Sequence, residues 1–137
     1  MSAPSELHER RVHLLCDLAD LSGYTLDMTA YTSLRPDVCR FHRRVRSIFI
    51  ADAKATESPA SGATRRRLVR YAMATRLWTD AGIHVAFGAC HDPDARREWC
   101  GALVSCLAAA GRRATRVTYA VLDDGTAVSM VTIDPRW

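Results

Sequence analysis

Apolar residues recur at helical spacing near the start of the chain. Leu7, Leu14, Leu18 and Leu21, with Val12 and Leu15 beside them, predict an amphipathic helix over Ser5 to Leu21, ended by Gly23. Tyr24 to Met28 reads as a short strand, and Thr29 to Arg35, which has no period, as a loop. Arg35 precedes proline, so its backbone is expected to be extended. Asp37 to Phe41 reads as a second short strand and His42 to Arg44 as a polar turn. Ser47 to Ala53 then carries the strongest strand signal. Ile48, Phe49, Ile50 and Ala51 are apolar at both parities, which predicts a central strand covered on both faces. On one side of it, strand parity lines up Ile48, Ile50, Asp52 and Lys54.

Glu57 to Ala63 has loop composition. Thr64 to Ala81 predicts a second helix, with Leu68, Val69, Ala72, Met73 and Leu77 as its inner stripe and Arg66 and Arg70 outside. Ile83 to Phe87 reads as a strand. Asp92-Pro93 predicts a cap followed by proline at the first helical position, opening a third helix that ends near Ala110 with Trp99, Leu103, Cys106 and Leu107 inward. Thr115 to Leu122 and Thr126 to Ile133 form a hairpin around Asp123-Asp124-Gly125. The order is helix, three strands, helix, strand, helix, hairpin. It predicts one α/β domain over residues 1–137, a mixed central sheet flanked by helices.

Length and composition keep this picture and narrow it. The 137 residues, 48% hydrophobic, suit a single core. No apolar stretch approaches the ~20 residues needed to span a bilayer, and the first residues do not resemble a secretory signal. The expectation is a cytoplasmic protein without a membrane partner. Five irregularly spaced cysteines, Cys16, Cys39, Cys90, Cys100 and Cys106, read as reduced thiols and small buried hydrophobes.

Charge changes the picture more. The net charge is +4, and of 19 basic residues Lys54 is the only lysine. Between Arg35 and Arg76 the cations outnumber the acids Asp37, Asp52 and Glu57 several-fold, which suggests a polyanion-binding face. Arg40, Arg43, Arg44, Arg66 and Arg70 are its candidate nucleic-acid contacts. In a chain that otherwise uses arginine, a single lysine marks a place for a compact ammonium whose pKa its surroundings can move.

Two acids and that lysine suit phosphodiester hydrolysis, which needs charge neutralisation and an activated water. Divalent cations such as Mg²⁺ or Mn²⁺ supply both and prefer oxygen ligands. Asp37 and Asp52, from neighbouring strands, are the candidate metal ligands, with a backbone carbonyl at Ala53. Lys54 would orient or deprotonate water or stabilise developing charge. On this reasoning, mutual repulsion between the two acids should make their replacement neutral or stabilising without metal.

Pro36-Asp37 opening one strand and Asp52-Ala53-Lys54 ending the next resemble the motif of the PD-(D/E)XK nuclease superfamily, over roughly Glu6 to Phe87. The helix bearing Glu9-Arg10 and ending Leu21-Ser22-Gly23-Tyr24 is similar to the start of archaeal-type Holliday junction resolvases. The resemblance implies a restriction-endonuclease-like core, with the third helix and the hairpin as additions. It also implies a nuclease acting on DNA, as a homodimer or within a larger complex. Asp37, Asp52, Lys54 and Glu9 would be catalytic, and Glu9, with Glu6 as its rival, would complete the metal shell. The competing expectation is a non-catalytic nucleic-acid-binding or scaffold protein of the same fold, including a subunit of a defence or recombination complex.

Overall fold

In the computed structural model of the protein, residues 4–53, 58–122 and 125–135 are described. Helix α1 (Pro4–Leu21) leads into β1 (Leu26–Asp27), a 3₁₀ turn (Thr29–Tyr31), β2 (Val38–His42) and β3 (Ser47–Ala53). Helix α2 (Gly62–Asp80) connects to β4 (His84–His91). A 3₁₀ turn (Pro93–Ala95) and α3 (Arg96–Ala109) follow, then the hairpin β5 (Arg116–Val121) and β6 (Ala127–Ile133). The six strands form one mixed sheet in the order β1-β2-β3-β4-β6-β5. Only β3 and β4 run parallel; every other neighbouring pair is antiparallel.

Continuous apolarity puts β3 in the interior, where all seven of its residues are buried. Alternation then splits its side chains between two cores. Ile48 and Ile50 join Cys39, Leu68, Tyr71, Val85, Phe87, Trp99, Leu103 and Cys106 under α2 and α3. Phe49, Ala51 and Ala53 join Val38, Leu15, Ala19, Ala86 and Cys90 under α1. Burying one such large apolar side chain contributes roughly 1.5–3 kcal/mol, so a strand buried on both faces anchors the sheet.

Several elements differ from the sequence expectation. Strand β4 continues four residues beyond Phe87 to His91, because Gly88, Ala89 and Cys90 are small and buried on a strand paired on both sides. In α2 the buried stripe is Thr64, Leu68, Tyr71, Ala72, Thr75 and Thr79. Val69, Met73 and Leu77 of the expected inner stripe are exposed. The helix is rotated so that Thr75 and Thr79 turn inward, where their hydroxyls donate back to the Ala72 and Thr75 carbonyls. Leu21 is exposed, while Leu15 and Ala19 anchor α1. Asp92 does not cap a helix with its side chain; its carboxylate accepts from the buried Arg11. Of the hairpin turn, Asp123 and Asp124 lie outside the described residues, and Gly125 has the left-handed φ of +85° that such a turn requires.

Candidate active site

The end of β3 and the entry to β2 meet because the antiparallel register Val38↔Ala51, extended by one residue, sets Asp37 opposite Asp52. Each aspartate reaches across to the other strand's backbone. The Asp37 N–H donates to Asp52 Oδ1 at 3.1 Å, and the Ala53 N–H donates to Asp37 Oδ2 at 2.7 Å. Two carboxylates are thus held together where the backbone ladder stops.

Helix α2 closes over Asp52, which is buried. The Arg67 guanidinium grips it with Nε on Oδ2 at 2.7 Å and a second nitrogen on Oδ1 at 3.3 Å, the forked geometry characteristic of arginine and carboxylate. The Tyr71 hydroxyl, one turn further along, also donates to Asp52 Oδ1 at 3.1 Å. Burial first, and then the Asp52 charge, push the Tyr71 phenol far up, so it acts as a donor only. The second Arg67 nitrogen also donates to the carbonyl of Arg35. Contrary to the extended conformation expected before proline, Arg35 has φ +53°, a left-handed backbone that non-glycine residues adopt at a cost. That turn presents its carbonyl to Arg67.

Asp37 has lighter company. His8 Nε2 lies 3.2 Å from its Oδ1. Burial, opposed by the Ala53 N–H and reinforced by the neighbouring Asp52 charge, lifts the Asp37 carboxyl above its usual range. The contact from α1 comes from His8, and Glu9, the sequence candidate, is exposed. Helical phase explains this. Arg11, Leu15 and Ala19 are the buried residues of α1, and His8 falls on that face while Glu9 is turned about 100° away. Glu6 is exposed as well. Lys54 and Glu57 lie outside the described residues.

The arginines separate in space. Arg66 and Arg70 are exposed on α2, within one turn of Arg67. Arg40 is held by Asp20 at 2.7 Å. Arg43 and Arg44 sit on the turn between β2 and β3, at the opposite end of those strands from the carboxylates. At about 3.4 Å per residue the length of β2 puts them roughly 15–20 Å away, so the basic run that is continuous in sequence does not form one patch around Asp52.

Tyr71, His8 and the specific role of Arg67 were missing from the sequence reading. A signal was available for two of them. Arg67 and Tyr71 are four apart and in phase with Thr64, Leu68 and Thr75, so an arginine stood on an otherwise inward stripe. Such a residue needs a buried anion, and Asp52 is the buried acid on that side of the sheet.

A divalent cation is compatible with this donor set. Mg²⁺ commonly takes one or two carboxylates and fills its shell with water and phosphate oxygens; Asp37 and Asp52 supply two carboxylates linked through the backbone amides of Asp37 and Ala53. No group of three or more His, Cys, Asp or Glu side chains converges among the described residues. Arg67 also occupies part of the Asp52 carboxylate. The crevice beneath it, bordered by Thr64, Phe87 and Trp99, has about 10 Å³ of accessible space, room for one water at most. Any larger substrate must therefore approach from outside.

Comparison with protein families, with curated proteins and with solved structures finds no match to this chain. No described helix is long and apolar enough to cross a membrane.

Proposed function

We propose that the protein is a Mg²⁺- or Mn²⁺-dependent nuclease with a restriction-endonuclease-like core, hydrolysing phosphodiester bonds of DNA. The observation that carries the reading is the pairing of Asp37 with Asp52 at the end of a buried strand, one residue short of Ala53 and two short of Lys54. The order α1-β1-β2-β3-α2-β4, with β3 parallel to β4, supports the same reading. It brings the acid-bearing strand ends beside a helix rich in exposed arginine.

A divalent cation, when bound, would supply charge neutralisation and a more acidic water. The chain's own groups do the rest. Asp37 and Asp52 would hold the cation, with Asp52 fixed by the Asp37 amide and Asp37 by the Ala53 amide. Arg66 and Arg70 draw in the phosphate backbone. Lys54 orients the attacking water or offsets charge on the phosphate. Glu9 belongs to the proposal only through a metal-bound water, since its side chain points to solvent. The protein would work as a homodimer or in a larger complex.

One observation favours a second reading. Asp52 already has a full set of donors in Arg67, Tyr71 and the Asp37 amide, as a purely structural ion pair would. A nucleic-acid-binding protein without catalysis would keep such a pair. Cleavage of a panel of linear duplex, single strand, flap, four-way junction and RNA, with Mg²⁺ and with chelator, separates the two. Metal-dependent cutting abolished in Asp52→Asn is expected. Salt-sensitive binding with no cutting of any substrate overturns the nuclease reading in favour of the binding protein.

A further inference from the structure

Arg67 holds the position that a second cation would need on Asp52. We infer that Arg67 is an exchangeable counter-ion, which neutralises Asp52 in the free protein and is drawn onto a phosphate of the nucleic acid when that substrate binds, opening Asp52 to the divalent cation. The inference rests on the nuclease reading and adds to it an order of events: nucleic acid and metal bind cooperatively.

Charge balance makes the first argument. Two aspartates and one guanidinium leave one negative charge at the strand ends. A divalent cation added with Arg67 in place would leave an excess positive charge in a partly buried site. The same cation added after Arg67 has moved to a phosphate balances the two carboxylates. The exchange therefore keeps both partners of each step neutralised in surroundings where an unpaired charge is costly.

Geometry makes the second. The Arg67 side chain is 32% exposed while that of Asp52 is 6% exposed, so the guanidinium lies between the carboxylate and solvent. Its planar fork fits a phosphate as well as it fits a carboxylate. Its carbon atom is 5.1 Å from the centre of the Tyr71 ring, and one nitrogen bonds the Arg35 carbonyl. Those two contacts do not involve Asp52, so they do not depend on the carboxylate that Arg67 would leave. Asp52 does not lose every donor in the exchange, because Tyr71 and the Asp37 amide stay behind.

The test is calorimetric titration of Mn²⁺ into wild type, Arg67→Ala and Arg67→Gln, each with and without a short DNA duplex carrying non-hydrolysable linkages. Arg67→Gln keeps a hydrogen-bonding side chain without charge and serves if the alanine variant folds poorly; melting curves establish folding in each case. Without duplex, the variants should bind Mn²⁺ about tenfold more tightly than wild type, the scale of one charge-assisted hydrogen bond. Duplex should tighten Mn²⁺ binding to wild type by a similar factor of about ten, and Mn²⁺ must tighten duplex binding equally. In the variants this coupling should shrink to the part carried by direct contact between cation and phosphate, clearly below the wild-type factor; coupling as large as in wild type overturns the exchange. Variants that bind Mn²⁺ no better than wild type overturn the exchange while leaving the nuclease reading standing. No Mn²⁺ binding to any of the three, with or without duplex, removes both.

Discussion

Two polar clusters lie on the same side of the sheet, at the ends of neighbouring parallel strands, and they solve burial in opposite ways. At the end of β3, Asp52 is ionic and is matched by Arg67 and Tyr71. At the end of β4, His91 is neutral. Its Nδ1–H donates to the Asp92 carbonyl at 2.7 Å, its Nε2 accepts from the Ser129 hydroxyl at 2.6 Å, and the Cys100 thiol donates to Ser129 Oγ at 3.2 Å. The ring stacks on Trp99, and burial holds its pKa below the ordinary value. The difference is one of replaceability. A chain of neutral hydrogen bonds works with one set of partners in one orientation, whereas a carboxylate accepts any well-placed cation. On the proposed reading, chemistry that depends on exchange of cations would belong at Asp52 and His91 would belong to the scaffold.

The largest effect expected from this contrast is on turnover. Lys54→Ala should lower cleavage by about 10² or more, Lys54→Arg should be nearly inactive, and duplex affinity should fall far less in both. His91→Gln, on a folded sample, should leave turnover within a few-fold of wild type. Single-turnover kinetics check all three; comparable losses at Lys54 and His91 would erase the distinction between site and scaffold.

Stability comes next. Ser129→Ala leaves the buried His91 Nε2 without its donor and should cost about 1–3 kcal/mol. Asp52→Asn leaves Arg67 without a counter-charge. Because Arg67 is about a third exposed and water recovers part of the loss, about 1–3 kcal/mol is expected there as well. For Asp52 this replaces the expectation from sequence, neutral or stabilising, with a loss, because Arg67 and Tyr71 donate to that carboxylate; for Asp37 the expectation stands. Asp52 is the partner of a cation, not merely the rival of Asp37. Mn²⁺ should stabilise wild type but not Asp52→Asn, and no metal should rescue Ser129→Ala. Urea unfolding with and without Mn²⁺ measures both.

Titration should separate the clusters further. The depressed His91 pKa means that the unfolded chain takes up a proton the folded one resists. Stability contributed here is therefore full above about pH 6.5 and is lost as pH falls through the lowered folded value. Melting curves from pH 7 to 5 should show this slope in wild type and a flatter one in His91→Gln. If both slopes agree, the titrating group is another.

The smallest effect is expected at Asp37, and it has the opposite sign. Its raised carboxyl pKa favours folding below the ordinary carboxylate value, and this contribution disappears as pH rises through the folded value. Asp37→Asn, which can still accept the Ala53 amide, should melt at or slightly above wild type at pH 7 without metal. The advantage should vanish in acid. A variant that melts well below wild type at pH 7 would show that the Asp37 charge is needed for folding.

The elements were legible in the sequence wherever one local signal decided them. Seven apolar-rich residues made β3, Gly23 ended α1, and Pro-Asp followed by Asp-x-Lys pointed to two strand ends that do meet. Reading failed where tertiary packing chose among similar residues. Val69, Met73 and Leu77 are as apolar as Leu68 and Ala72, and only the sheet beneath α2 determined which stripe was buried. His8 and Glu9 are adjacent, and the phase of α1 set by Leu15 and Ala19 decided which one reached Asp37. Arg43 and Arg44 lie between Asp37 and Asp52 in the sequence, and only the β2–β3 pairing shows that they sit at the far end of the two strands from those acids. The chain runs the full length of β3 between them and Asp52.

The placement of β6 between β4 and β5 bears on how the chain assembles. The pairs β2–β3 and β5–β6 join segments close in sequence, whereas β4–β6 unites residues about forty apart and must close a much larger loop. Local pairings of this kind form sooner than distant ones. The residues of the β2–β3 hairpin, which aligns Asp37 with Asp52, are synthesised well before β6, and until β6 docks, β4 has an open edge able to pair with another nascent chain. Pulse-labelled hydrogen exchange should accordingly protect amides of β2 and β3 ahead of those linking β4 to β6; protection appearing at β4–β6 first would reverse that order.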